Sequence, residues 1–154
     1  SAIKTFTQKV NWKNLDFIIV DMPPGTGDTQ LTFSQEIKMD GAIIVSTPQE
    51  VALLDVKRGI KMFDKLGVKI LGLVENMSFF MGDDKKKYNI FGDGGVYKTA
   101  EEFKKKFLGE IPINPDVVKT GDSGKPIVEQ NPEHEISKIY LNFANKIKSD
   151  YLLS

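Results

Sequence analysis

The chain has 154 residues, 40% of them hydrophobic and 27% charged, and its 21 basic residues balance its 21 acidic ones. That length suits a single domain burying roughly two-thirds of its unfolded surface, and the neutral balance offers no field for a polyanion, so nucleic acid is not expected as a partner. The absence of cysteine excludes disulfides and thiolate-held metals within these residues. No apolar run approaches the ~20 residues of a membrane helix and no signal-peptide pattern opens the chain, so a cytoplasmic protein is expected.

In chain order, "DFIIVD" (16–21), "AIIVSTP" (42–48), "VKILGLVEN" (68–76) and "FLGEIP" (107–112) read as strands. They are rich in branched and aromatic residues and do not alternate with polar ones, the pattern of parallel strands covered on both faces. Helical segments lie between them. "TQLTFSQEIK" (29–38) and "KTAEEFKKKF" (98–107) are short. "VALLDVKRGIKMFDKLG" (51–67) puts Leu53, Leu54, Val56, Ile60 and Phe63 on one face and stops at Gly67. "GDDKKKYN" (82–89) reads as a polar loop. "PEHEISKIYLNFANKIKSDYLL" (132–153) closes the chain as a helix, with Pro132 in its first turn. Strand and helix alternate, which predicts an α/β fold: three layers, α/β/α, around a mostly parallel sheet. Ligands of such sheets sit beyond the carboxyl ends of the strands.

The stretch "DMPPGTGDTQ" (21–30) follows the first of those strands. It is not a GxxxxGK[ST] phosphate loop, because it has neither the leading glycine nor the lysine that reaches the β- and γ-phosphates. Asp28 among phosphates would repel them. An apolar run ending in Asp21 is instead the Walker B arrangement, a carboxylate that holds Mg²⁺ directly or through water. Pro23 and Pro24 force an extended exit, and Gly25 lets the backbone approach a γ-phosphate. A strand ending in an ordinary Asp/Pro/Gly turn is the plainer alternative, and the full PPGTGD continuation favours the nucleotide reading.

With "GAIIVSTPQEVALLDVKRGIKMFDKLGVKILGLVENMSFF", "IFGDGG" and "FLGEIPINPDVVKTGDSGKPIV", that motif resembles the Mrp (ApbC) family over almost the whole chain. These are ATP-binding iron–sulfur cluster carriers of the deviant-Walker P-loop group, with MinD, ParA and the nitrogenase iron protein. The resemblance implies a P-loop NTPase fold, with Asp21 as the Mg²⁺ carboxylate and Gly25 as the switch glycine beside the γ-phosphate. It implies that Asn76 reads the adenine edge, with an amide that both donates and accepts, although the residue taken alone reads equally as a strand-end asparagine capping the following turn, and that Pro112, Ile113 and Asp116 of the "INPD" turn flank the base. The "STPQEVALLD" segment would lie near the interface of a homodimer that sandwiches ATP, and iron–sulfur client proteins would be partners. For Gln49, Glu50 and Asp55, helix capping and a solvated face explain the residues equally well.

Two departures qualify that expectation. The "KGGVGKS"-like Walker A loop of relatives is absent, so the chain reads as the C-terminal portion of a P-loop ATPase domain, residues 1–154, lacking the N-terminal P-loop strand. Mg–ATP binding is then weak or absent, the chain is inactive alone, and its exposed strand edges make it marginally stable. Relatives also carry a CxxC pair between "ENMSFF" and "IFG", where this sequence has "MGDDKKKYN". Asp83 and Asp84 cannot replace thiolates on a cluster. The alternatives are a MinD- or ParA-like switch that dimerises on a surface and a non-catalytic α/β interaction domain. The lack of a C-terminal amphipathic basic helix counts against the first. Among other residues, His134 reads as solvated beside glutamates, Trp12 as packing a helix onto the sheet, Met77 and Met81 as loop anchors, "GDGG" (92–95) as a tight turn, and "TGDSGKP" (120–126) as a loop.

Overall fold

The computed structural model describes residues 10–22 and 28–152. Its elements in chain order are α1 (Asp28–Glu36), β1 (Ala42–Ser46), α2 (Glu50–Leu66), β2 (Ile70–Met81), β3 (Lys87–Tyr88), α3 (Gly95–Glu102), β4 (Phe107–Ile113), α4 (Pro115–Asp122), α5 (Ile127–Gln130) and α6 (Glu135–Leu152). β2 is the hub. It pairs in parallel with β1 on one side and with β4 on the other, and β3 folds back antiparallel on its far end. The mostly parallel α/β sheet is therefore the expected one.

Alternation along β2 divides the core. Leu73 faces Val56 and Ile60 of α2 and Val96 and Ala100 of α3. Val74, the next residue, joins Leu108, Ile111, Ile127, Ile136 and Phe143 on the opposite side, under α5 and α6. Helices on both faces satisfy the crossover geometry of parallel strands, and each buried aliphatic side chain contributes roughly 1.5–3 kcal/mol. β4 and α6 approach closely at Gly109, where a Cβ would lie 2.8 Å from Phe143 Cε1 and φ is 147°. α2 runs from Glu50 and ends at the expected Gly67.

Several sequence expectations are corrected. Residues 16–21 form no strand: the backbone there is irregular, and Ile18, Ile19 and Val20 are exposed. A buried parallel strand needs ladder partners and covered faces, and among the described residues no strand ladder includes residues 16–21. β1 is covered on one face only, since its residues alternate between partly buried and exposed. The "GDDKKKYN" stretch is not a plain loop. It turns a hairpin between β2 and β3, closed by Gly82 N–H to Lys86 O at 2.9 Å and by the Tyr88 hydroxyl on Asp84 at 2.9 Å. α4 and α5 occupy much of what reads as loop after β4. The last helix begins at Glu135 rather than Pro132. Met77 and Met81 belong to β2.

Candidate functional site

The carboxyl ends of β1, β2 and β4 lie side by side, so the loops that follow them share one rim of the sheet. Asn76 pairs in register with Ile111 of β4, and the parallel ladder shifts immediately beyond it. Met77 adopts φ 55°, a left-handed conformation uncommon for a side chain of its size. That kink ends the regular pairing at Asn76 and sends β2 on into the hairpin. It leaves the Ser78 hydroxyl buried without a hydrogen-bond partner among the described residues.

Beside Asn76, β4 delivers Pro112 and Ile113 to the start of α4. Asn114 caps that helix, its Oδ1 accepting from the Asp116 N–H at 2.8 Å, and Pro115 sits in the first turn where a missing N–H costs nothing. The Asp116 carboxylate is 62% exposed, at the positive end of α4. The structure thus gathers Asn76, Pro112, Ile113 and Asp116 at the ends of two neighbouring strands. Asp21 is exposed on irregular backbone, and Gly25 lies outside the described residues.

Glu75, one residue before Asn76, falls among the strand-end residues the sequence points to, but the sequence assigns it no role. It is only 2% exposed, and its Oε2 accepts from the Val96 N–H at 2.9 Å. The carboxylate thereby fastens the first turn of α3 to the end of β2. Burial pushes its pKa up, opposed by the backbone N–H bond to Val96 and reinforced by repulsion from Glu110 on β4. The preceding "GDGG" loop packs on the end of β1: a Cβ on Gly95 would meet the Pro48 carbonyl oxygen at 2.6 Å. That close approach explains the glycine without a ligand. An apolar strand interior gives no hint that a glutamate within it will cap a distant helix, but its position one residue before a strand-end asparagine is a weak signal.

A hollow of about 350 Å³ opens between α2 and α3, lined by Pro48, Leu53, Lys57, Phe91, Lys98 and Glu102 among others. Glu50 and part of the "GDGG" turn line it, but Asp21, Asn76, Pro112, Ile113 and Asp116 do not, and its Lys57 is paired with Glu102 at 2.7 Å. Charges of both signs around it give no selectivity for an anion.

His134 is corrected too. Its side chain is 18% exposed rather than solvated, and it reaches Asp116. The link spans residues 116 and 134 across two helices, so no local pattern could reveal it.

The donors present fit part of a Mg–nucleotide. Asn76 offers an amide and Asp116 an acceptor suited to a purine edge, and Asp21 is a hard oxygen donor of the kind Mg²⁺ prefers. Among the described residues no group of three or more His, Cys, Asp or Glu could hold a metal by itself. A cluster does not fit, because these residues include no thiolate.

Comparison with known proteins identifies the family. The chain is 45% identical over 144 residues to an iron–sulfur cluster carrier protein of Aquifex aeolicus, covering 93% of this chain and 40% of that protein. It is 47% identical over 148 residues to an Arabidopsis thaliana iron–sulfur protein required for NADH dehydrogenase, covering 96% and 47%. The chain therefore spans less than half the length of these relatives. Among solved structures, an ADP complex of a nucleotide-binding protein from Archaeoglobus fulgidus superposes with TM-score 0.76 at 37% identity, over 88% of this chain and 55% of that one. The cell-division ATPase MinD of Pyrococcus furiosus superposes with TM-score 0.70 at 24% identity, over 96% and 55%, a likeness of fold alone. The model of the NUBPL iron-transfer P-loop NTPases, of the ParA group, matches residues 1–148, and the chain belongs to that family.

Proposed function

We propose that these residues supply the magnesium carboxylate and the adenine side of an Mg–ATP-binding iron–sulfur cluster carrier. The observation that carries this reading is the juxtaposition of Asn76 with the Pro112–Asp116 turn at the carboxyl ends of β2 and β4. In it Asn76 donates to and accepts from the adenine edge, Pro112 and Ile113 flank the ring, and Asp116 accepts from an exocyclic amine. Asp21 ligates Mg²⁺, which when bound neutralises phosphate charge, and Gly25 lies beside the γ-phosphate. The triphosphate itself needs cationic donors that "MPPGTGDT" does not contain, so affinity in residues 1–154 alone is low.

The cluster is cargo, and the thiolates that hold it come from outside these residues. The hairpin that stands where relatives carry a cysteine pair is closed by Asp84 and Tyr88 instead. The working protein is a homodimer that passes clusters to client proteins in the cytoplasm. Val51, 71% exposed in the first turn of α2, and Leu54 one turn later supply apolar surface for that interface.

The test is an NMR titration of the chain with Mg–ATP at millimolar concentration. The expected outcome is amide shifts at Asn76 and residues 113–116 that Asn76→Ala abolishes, with a Mg²⁺-dependent part that Asp21→Ala removes. Shifts confined to the α2–α3 hollow would overturn the assignment.

A further inference from the structure

His134 occupies the turn before α6, with Nδ1 hydrogen-bonded and Nε2 near a carboxylate. Nδ1 accepts from the Ile136 N–H at 3.1 Å, while the His134 carbonyl accepts the first intrahelical bond, from the Lys138 N–H at 3.0 Å. His134 is therefore the N-cap of α6, a role in which an acceptor side chain satisfies an otherwise orphan N–H. An imidazole that accepts at Nδ1 must carry its proton at Nε2. Nε2 lies 3.5 Å from Asp116 Oδ2, an electrostatic contact longer than a hydrogen bond.

The two carboxylate oxygens of Asp116 are thus not equivalent. Oδ2 faces a donor held by a mostly buried ring whose orientation the α6 backbone sets. The carboxylate is otherwise open to solvent. Asp116 also stands at the start of α4, where Asn114 holds its backbone N–H and Thr120 Oγ1 donates to its carbonyl at 2.7 Å. Its main chain is fixed from α4 and its side chain from α6. Without His134, a carboxylate this exposed would sample several rotamers and lose freedom on meeting a ligand.

We propose that His134 is a positioning residue: capped onto α6 through Nδ1, it presents Nε2–H to Asp116 and orients that carboxylate toward the exocyclic amine of a purine. This rests on the adenine-side reading above. A fixed acceptor favours the 6-amino group of adenine, whereas guanine offers a carbonyl oxygen there and is repelled. His134 accordingly sharpens the preference for ATP over GTP without touching either.

The experiment has two arms on the whole chain. Because His134 is the only histidine, a long-range ¹H–¹⁵N spectrum at neutral pH reads its tautomer directly. The Nε2–H form is expected, and the Nδ1–H form overturns the proposal whatever the nucleotide result. The second arm titrates ATP and GTP, each with Mg²⁺, into the wild type and two variants, following amide shifts up to 10 mM. His134→Asn keeps an N-cap acceptor but cannot reach Asp116. It should retain the thermal midpoint and lose about two-fold of the ATP-over-GTP preference, the worth of a long contact to an exposed carboxylate. His134→Ala should lose the preference and lower the midpoint as well. A preference intact in His134→Asn overturns the positioning role alone. No ATP preference in the wild type overturns the adenine-side reading, and this proposal with it.

Discussion

The chain contains the tripeptide Ile-Ile-Val twice, and the two copies meet different fates. At residues 43–45 it forms the middle of β1, hydrogen-bonded in parallel to residues 72–74 of β2, with Ile44 packed against the α2–α3 core. At residues 18–20 it is irregular, and Ile19 is 94% exposed. Intrinsic β-propensity is the same in both places, so propensity does not decide. The first copy has a neighbouring strand whose N–H and C=O groups it satisfies and helices to cover one face. A strand is in this sense a property of its neighbours. Even β1 shows it in part, since Val45, turned away from α2, is 58% exposed.

The largest test strikes the well-neighboured half. Gly109 combines φ 147° with a Cβ position 2.8 Å from the ring of Phe143, an α6 residue buried in the core. Gly109→Ala adds a methyl where backbone conformation and space both oppose it. It should destabilise the chain by about 2–4 kcal/mol, read from urea denaturation. A loss below about 1 kcal/mol would mean that α6 rests loosely on β4.

A smaller effect is expected at Glu75, the buried carboxylate that fastens α3 to the end of β2. A carboxyl whose folded pKa lies above its unfolded value binds more protons when folded. Its contribution to stability is therefore present at low pH and is lost as pH rises from the ordinary carboxylate value of about 4.5 through the raised folded value. Glu75→Gln keeps an oxygen acceptor for the Val96 N–H and removes the charge. It should raise the thermal midpoint at neutral pH and flatten the midpoint-against-pH curve in that window. An unchanged curve would remove Glu75 as the source of the dependence.

Most of the architecture was legible because its signals are local. The 3.6-residue periodicity of α2 with its Gly67 stop, and the branched runs of β1, β2 and β4, lie within a dozen or so residues each. What escaped depends on distant partners. β3 is two residues long and exists only because β2 continues past Asn76 to meet it. Glu75 reads as one polar residue in an apolar strand until Val96 arrives beside it from 21 positions away. His134 reads as one polar group among glutamates, yet its second nitrogen faces a carboxylate on another helix. On the site, the sequence singled out Asn76 and the "INPD" turn, and the ladder between β2 and β4 makes them neighbours. Asp21 and Gly25 remain a reading of their motif.

The smallest expected effect bears most directly on the comparison of the two tripeptides. Ile19→Ser replaces a side chain that is already in water, so neither a cavity nor a desolvated hydroxyl results. The change in unfolding free energy should stay within about 0.5 kcal/mol, whereas Ile44→Ser, made against the α2–α3 core, should cost about 2 kcal/mol or more. Because Ile19 contributes apolar surface to solvent, the Ser variant should also bind less of a dye that reports exposed hydrophobic patches. Equal costs at the two positions would show that residues 18–20 are packed in solution much as residues 43–45 are. The strand read at residues 16–21 would then stand, and with it a Walker B carboxylate at a true strand end. Unequal costs would place the difference between the copies in their neighbours alone.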